Sequence, residues 1–196
     1  MHPKRPHHCS VAKAAIVVPL LALFAPPVSA QESLWRIYIE DGNKAYAAAR
    51  YAEAEKLFKL AVAEAEQFGP TDVRLAVSLN NLALLYDTQA KYDQAEPLHK
   101  RSLAIDEQAL GPDHPDVATD LNNLAALYDD QGKYDQAEPL YKRSLAIREK
   151  ALGPDHPDVA TSLENYGILL GAMGRAEEGR AMMERAAAIR QRSGAP

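Results

Sequence analysis

KYDQAEPLHKRSLAIDEQALGPDHPDVAT, residues 91–119, returns at residues 133–161 as KYDQAEPLYKRSLAIREKALGPDHPDVAT. The two 29-residue segments differ at three positions: His99 against Tyr141, Asp106 against Arg148, and Gln108 against Lys150. Self-similarity at a fixed period of 42 residues is the signature of stacked supersecondary units, so the repeat decides the fold class before any single element is read. The frame extends both ways. Leu79, Leu121 and Leu163 are in register, with Ala83, Ala125 and Gly167 four residues later. Toward the N-terminus, Tyr51-Ala-Glu-Ala-Glu aligns with Tyr92-Asp-Gln-Ala-Glu after a shift of 41, because the first linker is one residue shorter. Four copies result, with 34-residue cores at about Trp35–Phe68, Ala76–Ala109, Ala118–Ala151 and Ala160–Ser193.

Inside a copy the apolar residues fall at helical spacing, first at Leu121, Leu124, Leu127 and Tyr128, then at Ala137, Leu140, Tyr141, Leu145 and Ile147. Each copy therefore reads as two helices. The break between them carries Gly132-Lys133 in the third copy and Gly174-Arg175 in the fourth, since glycine readily takes the left-handed conformation that ends a helix. Ala90 holds that place in the second copy, so the break is expected to need brevity more than glycine.

The linkers Leu110–Asp116 and Leu152–Asp158 both read Leu-Gly-Pro-Asp-His-Pro-Asp. Glycine stops one helix and proline prevents its continuation. Asp113 or His114 can cap the next helix, Pro115 suits a first turn whose N–H would be unpaired anyway, and Asp116 faces the positive end of the dipole. Pro97 and Pro139 lie early in the second helices, where each removes about one backbone bond. A lone pair of such helices cannot hide its apolar stripe, so the pairs must stack. The fold class expected is all-α, a superhelix of four helix pairs. Small residues such as Ala83, Ala95, Ala125 and Ala137 let helices approach, and Tyr86, Tyr128 and Tyr141 fill the gaps.

The first thirty residues are of another kind. Lys4, Arg5 and Lys13 precede an apolar run from Ala14 to Phe24, and Val28-Ser29-Ala30 ends it in small residues, the layout of a secretory signal peptide cut after Ala30. A retained anchor is the competing reading. The run falls short of the roughly 20 residues that span a bilayer, and Pro19, Pro26 and Pro27 interrupt it. Residues 31–196 then form the mature domain, expected in the periplasm or secreted. It has no cysteine, since Cys9 lies in the leader. Losing the leader's three basic residues leaves 19 Lys plus Arg against 27 Asp plus Glu, a net charge of −8. Such a chain lacks the basic stripe of a nucleic-acid binder and is a poor match for anionic lipid, so neither nucleic acid nor, after cleavage, a membrane is expected as partner.

The order small, aromatic, small, aromatic at Ala125, Tyr128, Ala137 and Tyr141 resembles the tetratricopeptide repeat family. The string Leu-Gly-Pro-Asp-His-Pro-Asp-Val-Ala-Thr, followed by Leu-Asn-Asn-Leu-Ala-Ala-Leu-Tyr, is similar to the kinesin light chain subtype, which is also widespread in bacterial proteins. The resemblance covers essentially all of the mature chain and implies a right-handed superhelix whose concave face comes mainly from the first helix of each pair. The outer copies depart from the pattern. Gly42 and Ala45 hold the small and aromatic slots of the first, and Leu170 and Gly179 hold aromatic and small slots of the fourth, so both ends are expected to be capping repeats or looser packing.

Projected onto this sequence, the family's concave face selects Asn80, Asn81, Asp87, Asn122, Asn123, Asp129, Asp130, Glu164 and Asn165 as a partner-binding groove. An asparagine side chain both donates and accepts, so a row of them can bond the backbone of an extended peptide, and the carboxylates favour neutral to basic partners. The competing reading is structural: Asn81, Asn123 and Asn165 recur at the period, so one asparagine per repeat could tie neighbouring first helices. Members that clamp a C-terminal carboxylate use Lys and Arg in slots that hold Val77, Asn80, Asn81, Thr119, Asn122 and Asn123 here, which disfavours a chaperone-tail receptor.

His114 and His156 recur with the repeat and are read as caps or packing, not as metal ligands, and no cofactor is expected. No phosphate loop, nucleophile elbow or Cys/His pair is present, so no catalytic residue is assigned. Arg175, Arg180, Arg185, Arg190 and Arg192 make the last repeat locally basic, a soluble end cap before a contact for an acidic partner. The leading expectation is a scaffold or adaptor that holds a protein or peptide. The alternative is a self-assembling structural repeat protein of the cell envelope, since near-identical repeats can stack or exchange between chains into a homo-oligomer. A hydrolase accessory domain is a third.

Overall fold

The computed structural model describes residues 28–194; the basic start and apolar run of the expected leader lie outside them, and its last three residues, Val28 to Ala30, begin the first helix. Among the described residues there are eight α-helices and no strand: α1 (Val28–Ala47), α2 (Tyr51–Ala65), α3 (Val73–Thr88), α4 (Tyr92–Leu110), α5 (Pro115–Asp130), α6 (Tyr134–Leu152), α7 (Pro157–Ala172) and α8 (Ala176–Ser193). A 3-10 turn, Glu66–Phe68, closes the first pair. Each helix packs on its neighbours in sequence, and among the first helices α3 also touches α5 and α5 touches α7, as a right-handed superhelix of four pairs requires.

The helix starts follow from the linkers. His114 and His156 are the N-caps of α5 and α7: each Nδ1 accepts the backbone N–H two residues on, at 3.2 Å, with proline in the first turn. Asp72 caps α3 in the same way, accepting from Arg74 N–H at 2.9 Å. Pro97 and Pro139 leave α4 and α6 unbroken. The breaks inside the pairs need more than brevity. Ala49 and Ala90 take φ of +55° and +54°, beside +70° at Gly132 and +79° at Gly174. Every copy thus turns on a left-handed residue, and alanine there carries strain of about 1–2 kcal/mol.

One apolar core runs through the array, including Phe58, Leu85, Tyr86, Leu127, Tyr128, Tyr141, Tyr166 and Leu169. Smaller clusters sit near the linkers, such as Leu75, Leu79 and Ile105 in the second copy and Val117, Leu121 and Ile147 in the third. Burying each large side chain contributes about 1.5–3 kcal/mol, and only stacking achieves it. Polar staples repeat with the core. The hydroxyls of Tyr86, Tyr128 and Tyr166 donate to Glu55, Glu96 and Glu138 of the preceding copy at 3.0–3.1 Å, and Lys59, Lys100 and Lys142 pair with the same carboxylates.

The divergent outer copies are tightly packed. A Cβ on Gly42 would lie 2.5 Å from Phe58, so glycine there makes room for the ring. A Cβ on Gly179 would lie 2.6 Å from the carbonyl oxygen of Gly167, so in the fourth copy the backbones of α7 and α8 themselves meet. Looser packing, one of the two expectations for these ends, is therefore not found at either contact.

Candidate partner-binding groove

Asparagines recur along α3, α5 and α7, and the structure ties them into a ladder. Nδ2 of Asn123 donates to Oδ1 of Asn80 at 3.1 Å, and Nδ2 of Asn165 donates to Oδ1 of Asn122 at 3.0 Å. Each bond spans 43 residues, one more than the period, because it joins the second asparagine of one Asn-Asn or Glu-Asn pair to the first of the copy before. Asn80, Asn123 and Asn165 are half-buried and Asn122 is buried. Asn81, also half-buried, makes no such bond among the described residues. The tie engages one side-chain atom of each partner. Nδ2 of Asn80 and of Asn122, and Oδ1 of Asn123 and of Asn165, remain available as donors and acceptors.

His99 of α4 reaches the same face from below. Its Nδ1 lies 3.1 Å from Oδ1 of Asn80 and its Nε2 lies 2.8 Å from Oδ2 of Asp87. Both partner atoms are oxygens, so the ring links the asparagine row to the acid of the same helix. The side chain is fully buried. In the next copy Tyr141 takes the place of His99, buried against Tyr166 at a ring-centroid distance of 6.5 Å. Burial pushes its phenol up, with Asp129 and Asp130 adding to the shift. Those two carboxyls are themselves raised by burial first and by neighbouring charge second, Asp130 acting on Asp129 and Asp87 on Asp130. Asp130 alone among the nine expected residues is exposed. Glu164 is paired: Arg190 of α8 binds it through two bonds, at 2.7 and 2.6 Å, and holds its carboxyl below the usual range.

The sequence expectation passed over a second feature. A cavity of about 210 Å³ opens between the second and third copies, lined by Val77 and Asn80 of α3, Ser102 and Asp106 of α4, and Thr119 and Asp120 of α5. Asp106 is 6% exposed and Asp120 3%, and the two carboxyls are close enough to share a hydrogen bond. Burial, then the neighbouring Asp106, pushes Asp120 up to about 8, and burial likewise raises Asp106. Ser102 donates to Asp120 at 3.1 Å and to the carbonyl of Ala76 at 2.9 Å. At the next junction the matching residues are Arg148 and Ser162. Nη1 of Arg148 bonds Oγ of Ser162 at 2.8 Å and the carbonyl of Asp158 at 3.2 Å, and Nη2 bonds Thr119 at 3.2 Å. The charge reversal at one of only three differing positions was the signal in the sequence; that both residues are buried was not legible there.

Among the described residues no group of three His, Cys, Asp or Glu is placed to hold a metal ion. No described helix is long and apolar enough to cross a membrane.

No curated protein matches the chain. Among solved structures, BtubC (BKLC) from P. vanneervenii is similar at 26% identity and a TM-score of 0.76, over 85% of this chain and 66% of that one, so this chain spans just under two thirds of its length. A Podosopora anserina kinesin light chain-like protein with nearly identical TPR-like repeats has 22% identity and a TM-score of 0.70, over 89% and 82% of the two chains. Aspartyl phosphate phosphatase F from Bacillus subtilis shares the fold at 15% identity and a TM-score of 0.71, over 89% of this chain and 43% of that one. The repeat architecture is typically non-enzymatic and suggests a protein–protein interaction scaffold. The family model for the tetratricopeptide repeat matches three times, at residues 44–108, 89–150 and 130–192, and with four stacked helix pairs in the structure the chain belongs to the tetratricopeptide repeat family.

Proposed function

We propose that the chain is exported and serves as a scaffold that holds an extended peptide or protein segment along the asparagine row of its first helices. The observation that carries this reading is the half-used ladder. Bonds between Asn80 and Asn123, and between Asn122 and Asn165, pre-orient the amides and still leave donors and acceptors at regular intervals. Pre-orientation lowers the ordering cost of binding, and alternating donors and acceptors suit a peptide backbone. Asp87, Asp129 and Asp130 add negative charge near the row, which favours neutral to basic segments. The leader at residues 1–30 supports export to the periplasm or beyond.

Cross-linking of the chain in its own compartment, followed by identification of the attached proteins, tests the reading. Asn122→Ala with Asn165→Ala removes two row positions and should weaken capture about tenfold while the helical circular dichroism spectrum stays unchanged. Full capture by this variant overturns the groove. Export is tested by N-terminal sequencing of the fractionated protein: a start at Gln31 in the envelope fraction supports it, and a start at Met1 in the cytoplasm overturns it.

A further inference from the structure

The cavity between the second and third copies holds two acids without a cation. Asp106 and Asp120 line it, both more than nine-tenths buried, and no basic side chain forms an ion pair with either. Oδ1 of Asp106 is buried without any hydrogen-bond partner. A buried carboxylate left unpaired is costly, and the molecule shows what relieves that cost at this level of the stack. One repeat later, the position of Asp106 is Arg148, whose guanidinium is satisfied by Ser162, Thr119 and the carbonyl of Asp158. The same frame therefore accommodates a guanidinium. The earlier junction has two acid groups where the later one supplies the cation from within.

We propose that this cavity receives the cationic head of a partner's side chain, an arginine guanidinium or a lysine ammonium, seated between Asp106 and Asp120. The inference rests on the groove reading and deepens it: Asn80 belongs both to the asparagine row and to the cavity wall, so a peptide backbone on the row places a side chain at the opening. The size fits a head group. At about 210 Å³ the cavity lies below the roughly 300 Å³ at which pockets for drug-sized ligands begin. Asp116 also lines the cavity, but among the described residues no group of three His, Cys, Asp or Glu is placed to hold a metal ion, so an organic cation fits better. Guanidinium offers five donors in a plane, enough for both carboxylates and a backbone carbonyl.

Occupancy is linked to protonation. In the empty cavity the two acids share a proton, with Asp116 disfavouring and His114 favouring ionisation of Asp106 from the α5 start. On the α3 side Arg74 is engaged by Asp72, and on the α6 side Arg148 reaches Thr119, on the cavity wall, without pairing with either acid. A cation entering displaces the shared proton, so affinity rises with pH up to about 8, where Asp120 ionises in the empty site.

The test titrates the whole chain with N-acetyl-argininamide and with its neutral citrulline counterpart, following backbone amides by NMR. Saturable shifts at Ser102, Asp106 and Asp120 with the arginine compound, absent with citrulline and tightening several-fold from about pH 6 to about pH 8, are expected. Asp106→Arg, which installs the later copy's residue, should abolish them, and Asp120→Asn, which keeps the shape, should weaken binding at least tenfold. Equal binding of citrulline, persistence in Asp106→Arg, or no saturable shift overturns the proposal. Two extended alanine peptides, one with a single arginine, separate the readings. Binding that needs Asn165 and gains nothing from arginine keeps the groove and removes the cavity ligand. Filling of the cavity by N-acetyl-argininamide, with no binding of either peptide, keeps the cavity ligand and removes the groove.

Discussion

The junction of the second copy with the third and that of the third with the fourth are built from 29-residue segments alike at all but three positions, yet they solve burial with opposite charge. At the first, Asp106 meets Asp120 and His99 bridges Asn80 and Asp87. At the second, Arg148 meets Ser162 and Tyr141 stacks near Tyr166. The partners change together: an acid faces an acid that needs a proton, and a guanidinium faces a hydroxyl and carbonyls that need a donor. A tetratricopeptide frame tolerates either, because its apolar contacts are shared by both junctions and supply most of the stability. What distinguishes the copies is the polar layer, where Asp106 with Asp120 at one junction and Arg148 with Ser162 at the next set the buried charge.

The most damaging change should be Arg148→Asp, which places a third buried acid opposite Ser162 and strips donors from Thr119 and Asp158. A loss of about 3–5 kcal/mol in urea denaturation is expected, with the first junction intact. The reverse graft, Asp106→Arg with Asp120→Ser, should instead stabilise the chain by about 1–4 kcal/mol at about pH 8. Its pH profile carries the sharper information. Asp120 keeps its proton in the folded chain up to about 8, whereas an unfolded aspartate loses it near about 4. The folded state therefore binds more protons across that window, and stability falls as pH rises from about 4 to about 8. In the graft this slope should flatten, and denaturation midpoints measured across the window would show whether it does.

His99→Tyr makes the second copy's upper layer like the third's. It leaves the Asp87 carboxylate without a donor and should cost about 1–2 kcal/mol, read as a lower thermal midpoint. The smallest expected effect concerns the turns. Ala90→Gly relieves a left-handed alanine and should stabilise by about 1 kcal/mol, and Gly132→Ala should destabilise by a similar amount. If the two do not mirror each other in paired denaturation curves, the turns of the two copies are not equivalent.

Much of the fold was legible because its signals are local. Helical spacing, the Gly-Pro-Asp-His-Pro linkers and the histidine caps depend on residues near in sequence, and the structure places His114 and His156 as N-caps. The site was legible only in part. The asparagine row could be named, but its ladder joins residues 43 apart and uses the first asparagine of one pair with the second of the next, a pairing that periodicity alone put elsewhere. Glu164 could be named as a groove residue, but its ion pair with Arg190 of α8 could not. The strain at Ala90 was hidden as well, since an alanine in a short break gives no sign of its φ.

By itself the sequence determined an all-helical array of four stacked pairs and the starts and stops of their helices, because these follow from apolar period, proline and glycine within a few residues. Only the tertiary structure decided which polar side chains are spent inside the protein and which are left for a partner. Buried charge depends on what another helix, some 14–43 residues away, presents at the same depth, and Asp106 and Arg148 occupy the same place in the repeat with opposite consequences for that reason.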